Sequence, residues 1–69
     1  MDIIQRIVEE RKRQKMSQEE LGKHAGMQRA YISRIELGNV DVSLSRAERM
    51  LNVLGYELTI KKKKNNNTQ

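Results

Sequence analysis

Five residues within one short stretch carry side chains suited to reading the edges of nucleobases: Gln28, Arg29, Ala30, Ser33 and Arg34. A guanidinium bonds the O6 and N7 of guanine as a fork, a carboxamide does likewise to adenine, and an alanine methyl touches that of thymine. At about 100° per residue, Ile32 and Ile35 define the opposite side of such a helix and must pack inward. An isolated helix of this composition would read as a solvated face. The element that holds it decides between the two.

Other chemistries lack their residues. The chain has no cysteine and a single histidine, His24. A disulfide framework is impossible, and the common zinc sites are excluded, so no metal or cofactor is expected. His24, next to Lys23, reads as a surface residue near a turn. There is no Ser/His/Asp set, no phosphate-cradling glycine loop and no carboxylate cluster around a cleft, so an enzyme reading finds no support. Tyr31 reads as packed or phosphate-facing rather than catalytic.

The chain is 69 residues long, 33% charged and 36% hydrophobic, without Pro, Phe or Trp. That is one small helical domain, whose core alone gives marginal stability and which calls for a partner chain or very regular helix packing. No apolar run is long enough for a membrane span or a signal-peptide core. The lack of cysteine suits a reducing cytoplasm. The net charge of +5 decides little, because residues 1–60 hold ten Lys/Arg against nine Asp/Glu. The remaining +4 is Lys61, Lys62, Lys63 and Lys64, at the head of a tail over 61–69 with no apolar residue to bury. Such a tail is expected to be disordered, as a solubilising end or an electrostatic arm for phosphates.

The body divides into four helical segments and one extended one. From Asp2 to about Lys15, Ile3, Ile4, Ile7 and Val8 form one apolar stripe that Arg11 continues, with Asp2 as cap. Ser17-Gln18-Glu19-Glu20 is a capping box opening a second helix to about Ala25, with Leu21 and Ala25 inward and Gly26 as its stop. Gln28 is placed to cap a third helix to about Leu37, ended by Gly38-Asn39, with residues 40–42 as a loop. Ser43 or Ser45 caps a fourth helix to Leu54, with Leu44, Ala47, Met50, Leu51 and Leu54 on its buried side. Gly55 stops it. Tyr56-Glu57-Leu58-Thr59-Ile60 then alternates apolar and polar residues, a strand pattern.

Two short helices joined by a glycine-containing turn make a helix-turn-helix. Ser17-Gln18-Glu19-Glu20-Leu21-Gly22, Ala25-Gly26 and Tyr31-Ile32-Ser33-Arg34-Ile35-Glu36-Leu37-Gly38 closely resemble the DNA-binding domain of phage-repressor/Cro-type (Xre family) transcription regulators. The resemblance runs in register over residues 3–55. It implies an all-α bundle of four helices, the lambda-repressor-like fold, spanning residues 1–60. It also implies that Gln28, Arg29, Ala30, Ser33 and Arg34 face the major groove of double-stranded DNA. Gln18 would donate to a phosphate and brace the recognition helix. Arg11 and Glu36 would form a partly buried ion pair, which fixes geometry more than it stabilises. The loop departs from the phage repressors, many of which carry Lys or Arg there. Here Asn39 or Ser43 could meet a phosphate, while Asp41 would repel one.

A lone strand leaves its backbone groups unpaired. Its cheapest partner is the same strand of a second copy, with Tyr56, Leu58 and Ile60 on the shared apolar face of a homodimer. The run from Met50 to Ile60 is similar to that of HipB-type antitoxins. That resemblance implies a cytoplasmic, autoregulating repressor of a palindromic operator that binds a HipA-like kinase toxin. Two alternatives stand beside it: a stand-alone phage- or plasmid-type regulator without a toxin, and a protein-interaction adaptor, against which Arg29 and Arg34 argue. Membrane attachment through the lysines is weaker, because no apolar anchor accompanies them.

Overall fold

The computed structural model describes residues 2–62. Four helices follow in order: α1 over Ile3–Arg13, α2 over Gln18–Ala25, α3 over Arg29–Glu36 and α4 over Leu44–Val53. Each boundary has a local cause. The Asp2 carboxylate accepts from the Gln5 N–H at 2.7 Å and satisfies one of the orphan donors at the start of α1. At the start of α2, Ser17 Oγ accepts from the Glu20 N–H at 3.0 Å, and Glu20 accepts from the Ser17 N–H at 2.9 Å. Ser43, rather than Ser45, caps α4 by accepting from the Arg46 N–H at 3.2 Å. Gln28 occupies the cap position of α3, but its side chain makes no capping bond. Its carboxamide is left for other work. α1 stops at Arg13, two residues short of the expected end, where Lys15 turns left-handed at φ 57°.

The helices close on one core of Ile7, Leu21, Ala25, Ile32, Ile35, Ala47, Met50, Leu51 and Leu54, all buried. α2 packs against α3 and α4, and α1 spans the other side of the same two helices. The tightest approach is at Gly22. Its amide carbonyl accepts from the Met27 N–H at 2.8 Å, and a Cβ on Gly22 would run into the Met27 carbonyl oxygen. The turn therefore lies flat on α2 only because this residue has no side chain. Gly22→Val should cost about 1–3 kcal/mol, the usual toll of forcing atoms into a packed site, as read from the urea midpoint at unchanged m-value.

Two expectations are corrected. Leu44 is 65% exposed rather than buried. It is the first residue of α4, and helical side chains lean toward the N-terminus, so it overhangs the loop instead of the core. The strand expected over residues 56–60 does not form; the described residues hold helices and no strand. The chain leaves α4 through Gly55 at φ 94°, with the Tyr56 N–H donating to the Leu51 carbonyl at 2.9 Å. Among the described residues no element offers a sheet edge, and a ladder needs one. The three alternating residues are also not equivalent. Leu58 packs against the core, Tyr56 is partly exposed, and Ile60 is 98% exposed. Of the basic tail, Lys61 and Lys62 are exposed. Residues 63–69 lie outside the described residues.

Candidate nucleic-acid interface

α3 turns Ile32 and Ile35 fully into the core, which commits its opposite face to the outside. On that face Arg29, Ala30 and Arg34 are exposed, Ser33 is half-buried, and Gln28 stands exposed at the tip. The set thus combines two guanidiniums, an amide, a hydroxyl and a methyl on one short surface.

The side chain of Gln18, the first residue of α2, ties down the C-terminal end of α3 and loosely meets its start. Its Nε2 donates to Glu36 Oε1 at 3.0 Å, and its Oε1 receives the Arg29 guanidinium at 3.5 Å. Glu36 is the centre of a larger network. Arg11 Nε and Nη2 donate to its two oxygens at 2.7 and 2.9 Å, and Arg11 Nη1 donates to the Met16 carbonyl at 2.8 Å. Both side chains of the ion pair are nearly enclosed, at 10% and 7% exposure. Through these contacts α1, α2 and α3 meet at one carboxylate.

Burial of Glu36 pushes its pKa up, but the bonds from Arg11 and Gln18 outweigh burial and hold the carboxyl below its ordinary value. Glu10, bonded by Arg13, and Glu20, bonded at the start of α2, are lowered as well. A lowered folded-state pKa gives stability that is present above the unfolded value and lost as pH falls through the folded one. The unfolding free energy should therefore be flat near neutrality and drop below about pH 4.5. Glu36→Gln should reduce the slope of that acid limb in urea melts taken from pH 7 to 3. An unchanged slope would place the acid sensitivity in the other carboxylates.

The loop after α3 presents Asn39, exposed, with its backbone N–H bonded to the Arg34 carbonyl at 2.9 Å. Ser43 uses its hydroxyl oxygen as the α4 cap and lies 3.2 Å from Ser45 Oγ. Asp41 is exposed in the same loop. Two further cations flank the turn, and sequence reasoning did not single them out. Arg46 Nη1 donates to the Tyr31 hydroxyl at 3.1 Å, and Arg49 Nη1 donates to the Ala25 carbonyl at 3.2 Å. Their one sequence signal is that both sit off the apolar stripe of α4, three residues apart.

A family model described as helix-turn-helix matches residues 7–61. The chain belongs to this family. It is a helix-turn-helix protein of the Cro/C1 (Xre) type, a family of DNA-binding transcription regulators and not of enzymes. In its terms α2 is the supporting helix, Gly26 at φ 74° is the turn, and α3 is the recognition helix. No curated protein and no solved structure matches the chain. No helix among the described residues is long and apolar enough to cross a membrane.

Proposed function

We propose that this helix-turn-helix protein is a sequence-specific repressor that binds duplex DNA as a homodimer on a palindromic operator in the prokaryotic cytoplasm. The observation that carries the reading is the outer face of α3. Gln28, Arg29, Ala30, Ser33 and Arg34 lie opposite the buried Ile32 and Ile35, and Gln18 holds that helix at Glu36. A recognition helix needs a fixed pose, because each bidentate base contact works only within narrow limits of distance and angle.

Arg29 is the test. Its guanidinium is exposed and loosely held by Gln18, so it is poised rather than consumed. Arg29→Ala should weaken binding to a duplex selected by the wild-type chain from a random library by about 1–3 kcal/mol, and relax specificity there. A scrambled duplex of the same length should lose much less. Equal loss on both would make Arg29 a phosphate contact and remove the base-reading assignment.

Dimerisation through residues 56–60, with Tyr56, Leu58 and Ile60, supplies the second half-site. It is supported by the exposure of Tyr56 and Ile60 and by the absence of a pairing strand for this segment among the described residues. Autoregulation as a HipB-like antitoxin of a HipA-like kinase toxin rests on the resemblance of Met50 to Ile60. A kinase-like gene found abutting this one would support it, and its absence would favour the solitary regulator.

A further inference from the structure

We infer that Arg34, Arg46 and Arg49 form a seat for one phosphate of the DNA backbone beside the turn, and that Arg34 positions the duplex rather than reading a base. The inference rests on the DNA-binding reading above and divides labour within it. An open concavity of about 430 Å³ lies between the turn, α3 and α4. Its lining includes these three arginines and Tyr31, and no carboxylate. Among the described residues no salt bridge reaches any of the three. Three like charges around one hollow repel one another, and the arrangement is relieved when an anion sits among them.

Two of the three side chains are held in advance by neutral groups. Arg46 is fixed by the Tyr31 hydroxyl, with its guanidinium carbon 5.5 Å from the ring centroid. Arg49 is fixed by the Ala25 carbonyl, an orphan acceptor at the end of α2. Each bond uses Nη1 and leaves the other N–H groups of the fork for a ligand. A planar fork of this kind suits phosphate oxygens better than a point charge does, and little rotamer freedom remains to be lost on binding.

The polymer backbone is the source of that phosphate because Gln28 lines the same hollow and stands at the tip of the recognition helix. A duplex with base edges at Gln28 and Arg29 brings its flanking phosphates to this side. Arg29 is not part of the lining; it bonds Gln18 instead. Arg34 joins the arginines of α4, and so falls on the backbone side of the division.

The test compares salt dependence with specificity, using the full chain, the library-selected duplex and a scrambled one. Each lost phosphate contact flattens the slope of log affinity against log salt by about 0.9. The variant R34Q/R46Q/R49Q should flatten it by about 0.9 for each subunit bound, one phosphate contact apiece, and weaken both duplexes by equal factors. Arg49→Lys should restore part of the slope. An unchanged slope overturns the seat, and a specificity ratio altered by Arg34→Gln alone returns Arg34 to base reading. A wild-type chain that binds neither duplex would fail the underlying reading instead. In that case inorganic phosphate, titrated while the guanidinium Nε–H signals are followed by NMR, decides the seat. Signals of Arg34, Arg46 and Arg49 moving together support an anion site, and movement of none of them refutes it.

Discussion

Ending the chain at Gly55 should lower affinity for a palindromic duplex by about 10²–10⁴-fold, the gain that linking two half-site binders provides. Two recognition helices must stand about one DNA turn apart, roughly 34 Å, to engage both halves at once. Neither helix sets that distance by itself. Residues 56–60 are the proposed link, and their surroundings say what else is lost. Leu58 packs on the core, so the truncated subunit also gives up apolar contact that a domain with nine buried apolar residues cannot easily spare. Sedimentation separates the two effects. A truncated chain that is folded by circular dichroism and monomeric at micromolar concentration fits the link. One that stays dimeric moves the interface elsewhere, most naturally onto α4, and removes the support for the HipB-like assignment. Paired substitutions Tyr56→Ser and Ile60→Ser leave Leu58 in place, and should yield the monomer with little loss of stability.

Glu36→Leu should destabilise the fold by about 3 kcal/mol, at the lower end of what breaking one side of a buried ion pair costs. The mechanism is the group left behind. Arg11 has only the Met16 carbonyl as a second partner, and its side chain is 10% exposed. The Gln18 amide loses its acceptor too. A domain of this length rarely holds more than about 3–5 kcal/mol, so much of the variant should be unfolded at room temperature. The double variant R11M/E36L should be closer to wild type than Glu36→Leu alone, since both charges leave together. Urea denaturation of the two singles and the double gives the coupling energy directly. Additive losses would mean that the pair is not coupled and that the network holds no geometry.

Much of the helical frame was legible because its boundaries are local chemistry. A carboxylate or hydroxyl before a helix, and a glycine able to turn left-handed after it, act within four residues, so Asp2, Ser17, Gly26 and Gly55 announce themselves. The apolar stripes likewise picked out Ile7, Leu21, Ile32 and Met50. What failed depended on more distant matters. Leu44 lies in phase with its stripe, yet the core ends before reaching it. Alternation in residues 56–60 describes a face only where a second strand exists. Arg46 and Arg49 look like any solvated residues along α4, and only the packing of α4 against α2 brings them to the turn. The bond from Gln18 to Glu36 spans eighteen residues; the resemblance implied only that Gln18 braces the recognition helix, and nothing in the sequence named Glu36 as its acceptor.

The division of α3 into two faces has an evolutionary consequence. Ile32, Ile35 and Glu36 hold the helix from below, and Gln18 clamps it from the side. Gln28 and Ala30 bear none of that weight, and Arg29 adds only its loose contact with Gln18. On the proposed base reading, new residues at those three positions should change which duplex is preferred while the scaffold melts at nearly the same temperature. A duplicated copy of this gene could drift to a new target through single surface changes, without crossing an unfolded ancestor.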